Sequence, residues 1–261
     1  MEIETAPSEK KQRRGIYLLP NLFTTAALFA GFYAIVAAMG ERFEAAAVAI
    51  FVAMMLDGVD GRIARMTHTQ SAFGAEYDSL ADMISFGLAP ALVVYVWSLS
   101  GLGKVGWLVA FIYTAGAALR LARYNTQVAS TDKRYFQGLP SPSGAALMAG
   151  LVWLGSDYAL AGEDVAGLAM AVTLAAGLLM VSNIRYHSFK ELDLRGRVPF
   201  VAILAVVLVF VFVSSHPPLV LFSAFLIYAF SGPLLTLLQV RRRRAARRLG
   251  ESPNSSGKRA G

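Results

Sequence analysis

The chain has no cysteine, few charged residues and only three histidines. Without cysteine it can form neither disulfides nor thiolate metal sites. The histidines, at His68, His187 and His216, are too scattered for a histidine-based metal site. Charged residues make up 16% of the 261 residues, well below the roughly 25% of soluble domains. Hydrophobic residues make up 56% and the mean hydropathy is +0.53, so the composition indicates a membrane protein.

The chain contains eight apolar stretches. Each is close to the length that a membrane-spanning helix requires. They fall at residues 20–39, 44–66, 74–99, 105–125, 143–160, 165–183, 199–214 and 218–239. The predicted fold class is therefore an all-α, polytopic transmembrane helix bundle of about eight spans. Glycine and alanine are abundant in these spans, which predicts close packing between the helices.

Lysine and arginine are distributed unevenly between the two predicted sides of the membrane. Only Arg42 and Lys104 fall in the outer loops, whereas the other 22 of the 24 basic residues fall in inner segments. This asymmetry predicts that both termini are cytosolic. The basic run at 241–248 is then a topology anchor that attracts anionic membrane lipids, so the net charge of +7 does not indicate nucleic-acid binding.

Five acidic residues lie within residues 57–82, on both sides of a short polar break. At about 100° per residue, two sets of residues in this stretch each share one face of a helix. The first set is Asp57, Asp60, Gly61 and Ala64, and the second is Gly74, Asp78 and Asp82. Two helices joined at 66–73 would therefore present two carboxylates each to a common space.

Four clustered carboxylates at the edge of a hydrocarbon layer need positive charge, because desolvation and mutual repulsion would otherwise protonate some of them. An all-oxygen donor set suits Mg²⁺ or Mn²⁺. Arg65, one turn beyond Gly61, has the forked geometry that binds a phosphate group. Glycine at positions 61 and 74 lets a bulky ligand approach the backbone. The sequence therefore predicts a divalent-metal site at the cytosolic side.

The pattern D-x₂-D-G-x₂-A-R-x₈-G-x₃-D-x₃-D within residues 57–82 resembles the signature of the CDP-alcohol phosphatidyltransferase family at every defined position. Other segments resemble the bacterial phosphatidylserine synthase branch of that family. They are Leu19-Pro20-Asn21-Leu22, Ser85-Phe86-Gly87, Arg123-Tyr124-Asn125, Phe136-Gln137-Gly138-Leu139-Pro140 and Tyr186-His187-Ser188-Phe189-Lys190. The resemblance implies a catalytic membrane domain at 18–195, preceded by a cytosolic arm at 1–17. It is followed by additional transmembrane helices at 196–240 and a basic, disordered tail at 241–261.

The resemblance implies an enzyme of the bacterial cytoplasmic membrane that transfers the phosphatidyl group of CDP-diacylglycerol to L-serine and releases CMP. Two Mg²⁺ or Mn²⁺ ions would be ligated by Asp57, Asp60, Asp78 and Asp82, and Asp82 would also be the catalytic base. CDP-diacylglycerol would contact Asp57, Gly61, Ala64, Arg65 and Gly74. The family also implies a possible homodimer.

Serine recognition is predicted from residues near the cytosolic end of the fourth span. A substrate carboxylate calls for arginine, and Arg120 and Arg123 lie there. Asn125 and Gln137 could add hydrogen bonds. The alternative for both arginines is that they only flank the span as positive-inside charges.

Three other functions fit parts of the sequence. A member of the same family could use glycerol phosphate, inositol phosphate or choline as the acceptor. An intramembrane prenyltransferase also binds Mg²⁺ through aspartates at helix ends, usually in D-x₃-D repeats at two separated places. An ion channel or transporter would carry intramembrane acids along the bundle, whereas here they cluster at one end.

Overall fold

The computed structural model describes residues 18–67, 71–127, 135–187 and 200–248. Its α-helices, in chain order, are α1 Leu18–Met39, α2 Phe43–Met66, α3 Ala72–Asp82, α4 Ala89–Val94, α5 Lys104–Gln127, α6 Ser141–Asp157, α7 Ala166–Val181, α8 Phe200–Ser215 and α9 Pro217–Arg248. Each predicted apolar stretch contains helix, so the all-α prediction is confirmed in its main part. The predicted cytosolic arm at 1–17 lies outside the described residues.

Helices α3 and α4 belong to one continuous helical segment, Ala72–Leu102. A π-helical stretch, Met83–Leu88, joins them, and a second one, Tyr95–Leu99, follows α4. The looser turns of the first stretch are bonded to neighbouring helices. The hydroxyl of Ser85 donates to the carbonyl of Ala27 in α1 at 3.1 Å, and that of Tyr113 in α5 donates to the carbonyl of Phe86 at 3.1 Å.

A short antiparallel ladder joins the loop before α6 to the loop after α7. The all-α prediction did not include it. Strand β1, Tyr135–Gln137, pairs with β2, Arg185–His187. Tyr186 in β2 is fully buried, and its hydroxyl donates to the carbonyl of Ala229 in α9 at 2.9 Å. Gly138 follows β1 with φ +78°, a left-handed conformation that favours glycine. The ladder therefore attaches the loop before α6 to the last helix.

Within the part of the chain that the structure describes, four helical segments are long and apolar enough to cross a membrane, namely Asn21–Met39, Ala72–Leu102, Lys104–Thr126 and Pro217–Leu238. Helices α6, α7 and α8 are shorter, with 17, 16 and 16 residues. The long apolar helices identify an integral membrane protein. The count of eight spans and the cytosolic position of the termini remain predictions.

Small residues let the helices approach each other closely, as predicted from the composition. A Cβ atom on Gly31 of α1 would lie 2.7 Å from the Cα of Ser85, and one on Gly150 of α6 would lie 3.0 Å from the Cα of Phe222 in α9. Helices α1 and α2 pack against each other, and both contain fully buried alanines, among them Ala34, Ala37, Ala46, Ala47 and Ala53. Close backbone contact of this kind is typical of membrane helices.

The last helix extends further than the sequence indicated. Helix α9 continues through the basic run to Arg248, so the first part of the predicted disordered tail is helical. The remainder of that tail, residues 249–261, lies outside the described residues. Pro233 stands inside α9.

Candidate active site

Three aspartates converge where α2 ends and α3 begins. Carboxylate oxygens of Asp57 and Asp60 from α2 and of Asp78 from α3 lie within 4.8 Å of one another. Asp60 is buried, and the other two are half-buried. The two consecutive helices, α2 ending at Met66 and α3 beginning at Ala72, turn their aspartate faces toward one space.

Asp82, the fourth predicted metal ligand, lies one helical turn beyond Asp78 on the same face. Asp57 and Asp78 are among its charged neighbours. Arg120 of α5 is a neighbour of opposite charge. The structure therefore brings all four predicted carboxylates to one region and places a cation beside the last of them.

Thr24 of α1 is part of this cluster and was not predicted from the sequence. Its hydroxyl donates to Oδ2 of Asp60 at 2.7 Å, and both residues are buried. The bond fixes the orientation of the Asp60 carboxylate. Neither the spacing of residues nor a motif singles out Thr24 in its apolar helix. Its partner, Asp60, lies 36 positions away in another helix, so the contact has no local signal.

Helix α3 is attached to α1 at the edge of the site. Ser71 caps α3, since its hydroxyl accepts from the N–H of Gly74 at 3.0 Å. A Cβ atom on Gly74 would lie 3.1 Å from that hydroxyl oxygen and 3.4 Å from Oδ1 of Asn21. The hydroxyls of Thr25 and Tyr77 form a second link at 2.9 Å. Gly74 thus permits close helix packing, and its contact with CDP remains a prediction.

The space beside Gly61 on α2 is open. Among the described residues, the nearest atom to a Cβ built on Gly61 is Nη1 of Arg65, at 3.7 Å. Ala64 is half-buried on the same face, and the exposed Arg65 is an electrostatic neighbour of Asp60. A guanidinium beside open space and clustered carboxylates suits a ligand that carries phosphate groups together with divalent cations.

The two arginines predicted to contact serine have different surroundings. Arg120 is buried, with 9% of its surface exposed, and its Nη1 donates to the hydroxyl oxygen of Ser141 at 2.6 Å. Arg123 donates to Oδ1 of Asn183 at 3.1 Å and to backbone carbonyls at the end of α7. Arg123 therefore caps α7, whereas Arg120 is a charged neighbour of Asp82.

The other two predicted serine contacts lie farther out. The side-chain amide of Asn125 donates to the hydroxyl of Ser79 in α3 at 3.0 Å, one residue after Asp78. Gln137 is exposed in β1, opposite Arg185. Of the four predicted serine contacts, Arg120 is the one that the structure places beside the aspartates; the roles of all four remain predictions.

The donor set fits a hard divalent cation. It consists of carboxylate oxygens close enough to share an ion, with one of them oriented by Thr24. Mg²⁺ and Mn²⁺ prefer such oxygen ligands. Asp57, Asp60 and Asp78 would hold the metal, and Asp82 lies beside them.

A cavity of about 680 Å³ lies at the opposite end of the same helices. Its lining includes Glu41, Arg42, Glu44, Trp97 and Ser156. Residue 42 precedes α2 and residue 57 lies in its second half, so the two places are about 20 Å apart at 1.5 Å per residue. This cavity is therefore separate from the carboxylate cluster.

Comparison with known proteins gives a consistent result for most of the chain. The family model for CDP-alcohol phosphatidyltransferase matches residues 17–182, which include every carboxylate of the cluster. A curated protein from Helicobacter pylori, named CDP-diacylglycerol–serine O-phosphatidyltransferase, is 38% identical over 196 residues. That match covers 75% of this chain and 83% of the relative.

Two other organisms have relatives with the same name. The protein from Mycobacterium bovis is 45% identical over 154 residues, covering 56% of this chain and 53% of the relative. The protein from Methanocaldococcus jannaschii is 36% identical over 142 residues, covering 54% of this chain and 63% of the relative. These matches favour a phosphatidyltransferase over the prenyltransferase and transporter alternatives.

Proposed function

Because this chain belongs to the CDP-alcohol phosphatidyltransferase family, we propose that it transfers the phosphatidyl group of CDP-diacylglycerol to L-serine, giving phosphatidylserine and CMP. The observation that carries this proposal is the convergence of Asp57, Asp60 and Asp78, with Asp82 beside them. Serine is favoured over other alcohols because relatives from three organisms bear the name of the serine enzyme.

The aspartates would act together with two divalent ions, Mg²⁺ or Mn²⁺. Bound ions would neutralise the carboxylates and make the reacting phosphorus more electrophilic. Asp57, Asp60 and Asp78 would hold them, with Asp82 completing the set. CDP-diacylglycerol would lie along the open face of α2, contacting Asp57, Gly61, Ala64, Arg65 and, from α3, Gly74.

Asp82 would be the general base of the transfer. It would take the proton of the serine hydroxyl while the hydroxyl oxygen attacks the phosphorus of the phosphatidyl group. The new phosphorus–oxygen bond forms as the bond to the CMP phosphate breaks, and CMP leaves with the electron pair. We propose direct transfer, without a covalent enzyme intermediate; a trapped phosphatidyl-enzyme adduct would contradict this step.

Arg120 would bind the carboxylate of serine. It is the buried cation next to Asp82, and a guanidinium matches a carboxylate in bidentate geometry. This position suits serine, whose carboxylate and hydroxyl are separated by two carbon atoms. Arg123, Asn125 and Gln137 remain further candidates for serine contacts.

The membrane setting completes the proposal. The site would face the cytosol of a bacterial cytoplasmic membrane, where nucleotides and Mg²⁺ are available, and the chain could function as a homodimer. The unequal distribution of lysine and arginine supports the cytosolic orientation.

The test is serine-dependent CMP release by the purified protein with CDP-diacylglycerol and Mn²⁺ or Mg²⁺. Asp82→Asn should lower kcat by at least about 100-fold, the range expected for loss of a general base. Glu76→Gln is the matched control, because Glu76 is exposed on the same helix and undergoes the same chemical change. CMP release with glycerol phosphate, inositol phosphate or choline instead of serine would retain the family chemistry and reject serine as the acceptor.

A further inference from the structure

The surroundings of Arg120 extend the proposed function, on which this inference rests. Arg120 projects from α5 into the interior. Among the described residues, the side chain that accepts a hydrogen bond from it is that of Ser141. Ser141 is fully buried and is the first residue of α6. The bond is short, at 2.6 Å between Nη1 and Oγ, and it joins residues 21 positions apart.

The loop that leads into Ser141 is held in place by backbone hydrogen bonds. The N–H of Gly138 donates to the carbonyl of Ile184 at 2.8 Å, and that of Leu139 donates to the carbonyl of Leu179 at 3.0 Å. The N–H of Gly144 donates to the carbonyl of Pro140 at 3.0 Å, which closes the first turn of α6. Ser141 is therefore a fixed acceptor rather than a loop side chain that follows the arginine.

A fixed acceptor on one nitrogen restricts the orientation of the guanidinium. The group carries five N–H donors in a rigid fork, and Ser141 accepts one of them. Asp82 is a charged neighbour of the same guanidinium. With this orientation set before substrate arrives, less conformational freedom is lost when a carboxylate binds.

We infer that Ser141 is a positioning residue: its buried hydroxyl orients the Arg120 guanidinium to receive the carboxylate of the acceptor alcohol beside Asp82. Ser141 does not touch the reacting atoms. Its contribution belongs to binding of the acceptor, so its loss affects the KM for serine and leaves the chemical step nearly unchanged.

The test compares Ser141→Ala with Ser141→Thr in the CMP-release assay, varying serine and CDP-diacylglycerol separately. Loss of a hydrogen bond to a charged group predicts a rise of about tenfold in the KM for serine in Ser141→Ala. The kcat and the KM for CDP-diacylglycerol should stay within about twofold of the unmodified protein. Ser141→Thr keeps the hydroxyl and should restore the KM for serine.

Ser143→Ala is the matched control, since Ser143 lies two residues on in the same helix and is half-buried. An unchanged KM for serine in Ser141→Ala, or equal losses for both substrates, would overturn the positioning role. A fall in kcat that Ser141→Thr does not reverse would do the same, because it indicates a packing defect. Absence of serine-dependent CMP release by the unmodified protein would instead reject the proposed function, and this inference with it.

Discussion

The bond between Thr24 and Asp60 permits a specific test of the metal site. Thr24→Val keeps the shape of the side chain but removes the donor that lies 2.7 Å from Oδ2 of Asp60. The bond is buried and its acceptor is a carboxylate, so its loss costs about 2 kcal/mol, or about thirtyfold in an equilibrium constant. We expect this cost to appear in metal binding, because a reoriented Asp60 is a poorer ligand.

The measurement is the Mn²⁺ concentration that gives half-maximal CMP release. Thr24→Val should raise it roughly 10- to 100-fold, while kcat at saturating Mn²⁺ stays near that of the unmodified protein. Thr24→Ser keeps the donor and should behave like the unmodified protein. Thr114→Val is the control, because the Thr114 hydroxyl donates to the carbonyl of Ala110 in its own helix. An unchanged Mn²⁺ requirement in folded Thr24→Val protein would refute the assignment of Asp60 as a ligand that Thr24 orients.

Two further predictions concern packing and pH. Gly31→Ala forces α1 away from Ser85 and should lower the free energy of unfolding by about 1–3 kcal/mol. Gly167→Ala is the control, because its added Cβ meets no described atom within 4 Å. It should leave the thermal midpoint unchanged or raise it. Equal midpoints for the two variants would contradict this account. Burial raises the pKa of Tyr186 from 10.0 to about 12. Its contribution to stability is therefore complete below pH 10 and is lost as the pH rises to about 12, because the unfolded chain releases the proton first. The thermal midpoint of the unmodified protein should fall more steeply above about pH 10 than that of Tyr186→Phe, and parallel curves would disprove the shift.

The sequence predicts the parts of the site that depend on local spacing. Asp57 and Asp60 share a face because they are three residues apart in one helix, and Asp78 follows in the next helix after a short polar break. Carboxylates in an otherwise apolar chain are a strong local signal. Helical spacing together with the break was therefore enough to predict that they meet.

The contacts that orient the site could not be predicted in this way. Thr24 meets Asp60 across 36 positions, and Ser141 meets Arg120 across 21. Such pairs depend on how the helices pack, which hydrophobic periodicity does not determine. The ladder between 135–137 and 185–187 was missed for a related reason, since three-residue strands are too short to show an alternating pattern.

The π-helical stretch Met83–Leu88 sets the rotational phase of the helix that carries Asp78 and Asp82. A π-helical turn holds more residues than the α-helical turn that it replaces, because its bonds run from i to i+5. If these six residues formed regular α-helix instead, the preceding helix would be turned relative to the part that packs in the core, because each α-helical turn holds fewer residues. Both carboxylates would then point away from α2, although no residue of the cluster had changed. The hydrogen-bond pattern of these six residues therefore helps to determine where the two carboxylates point.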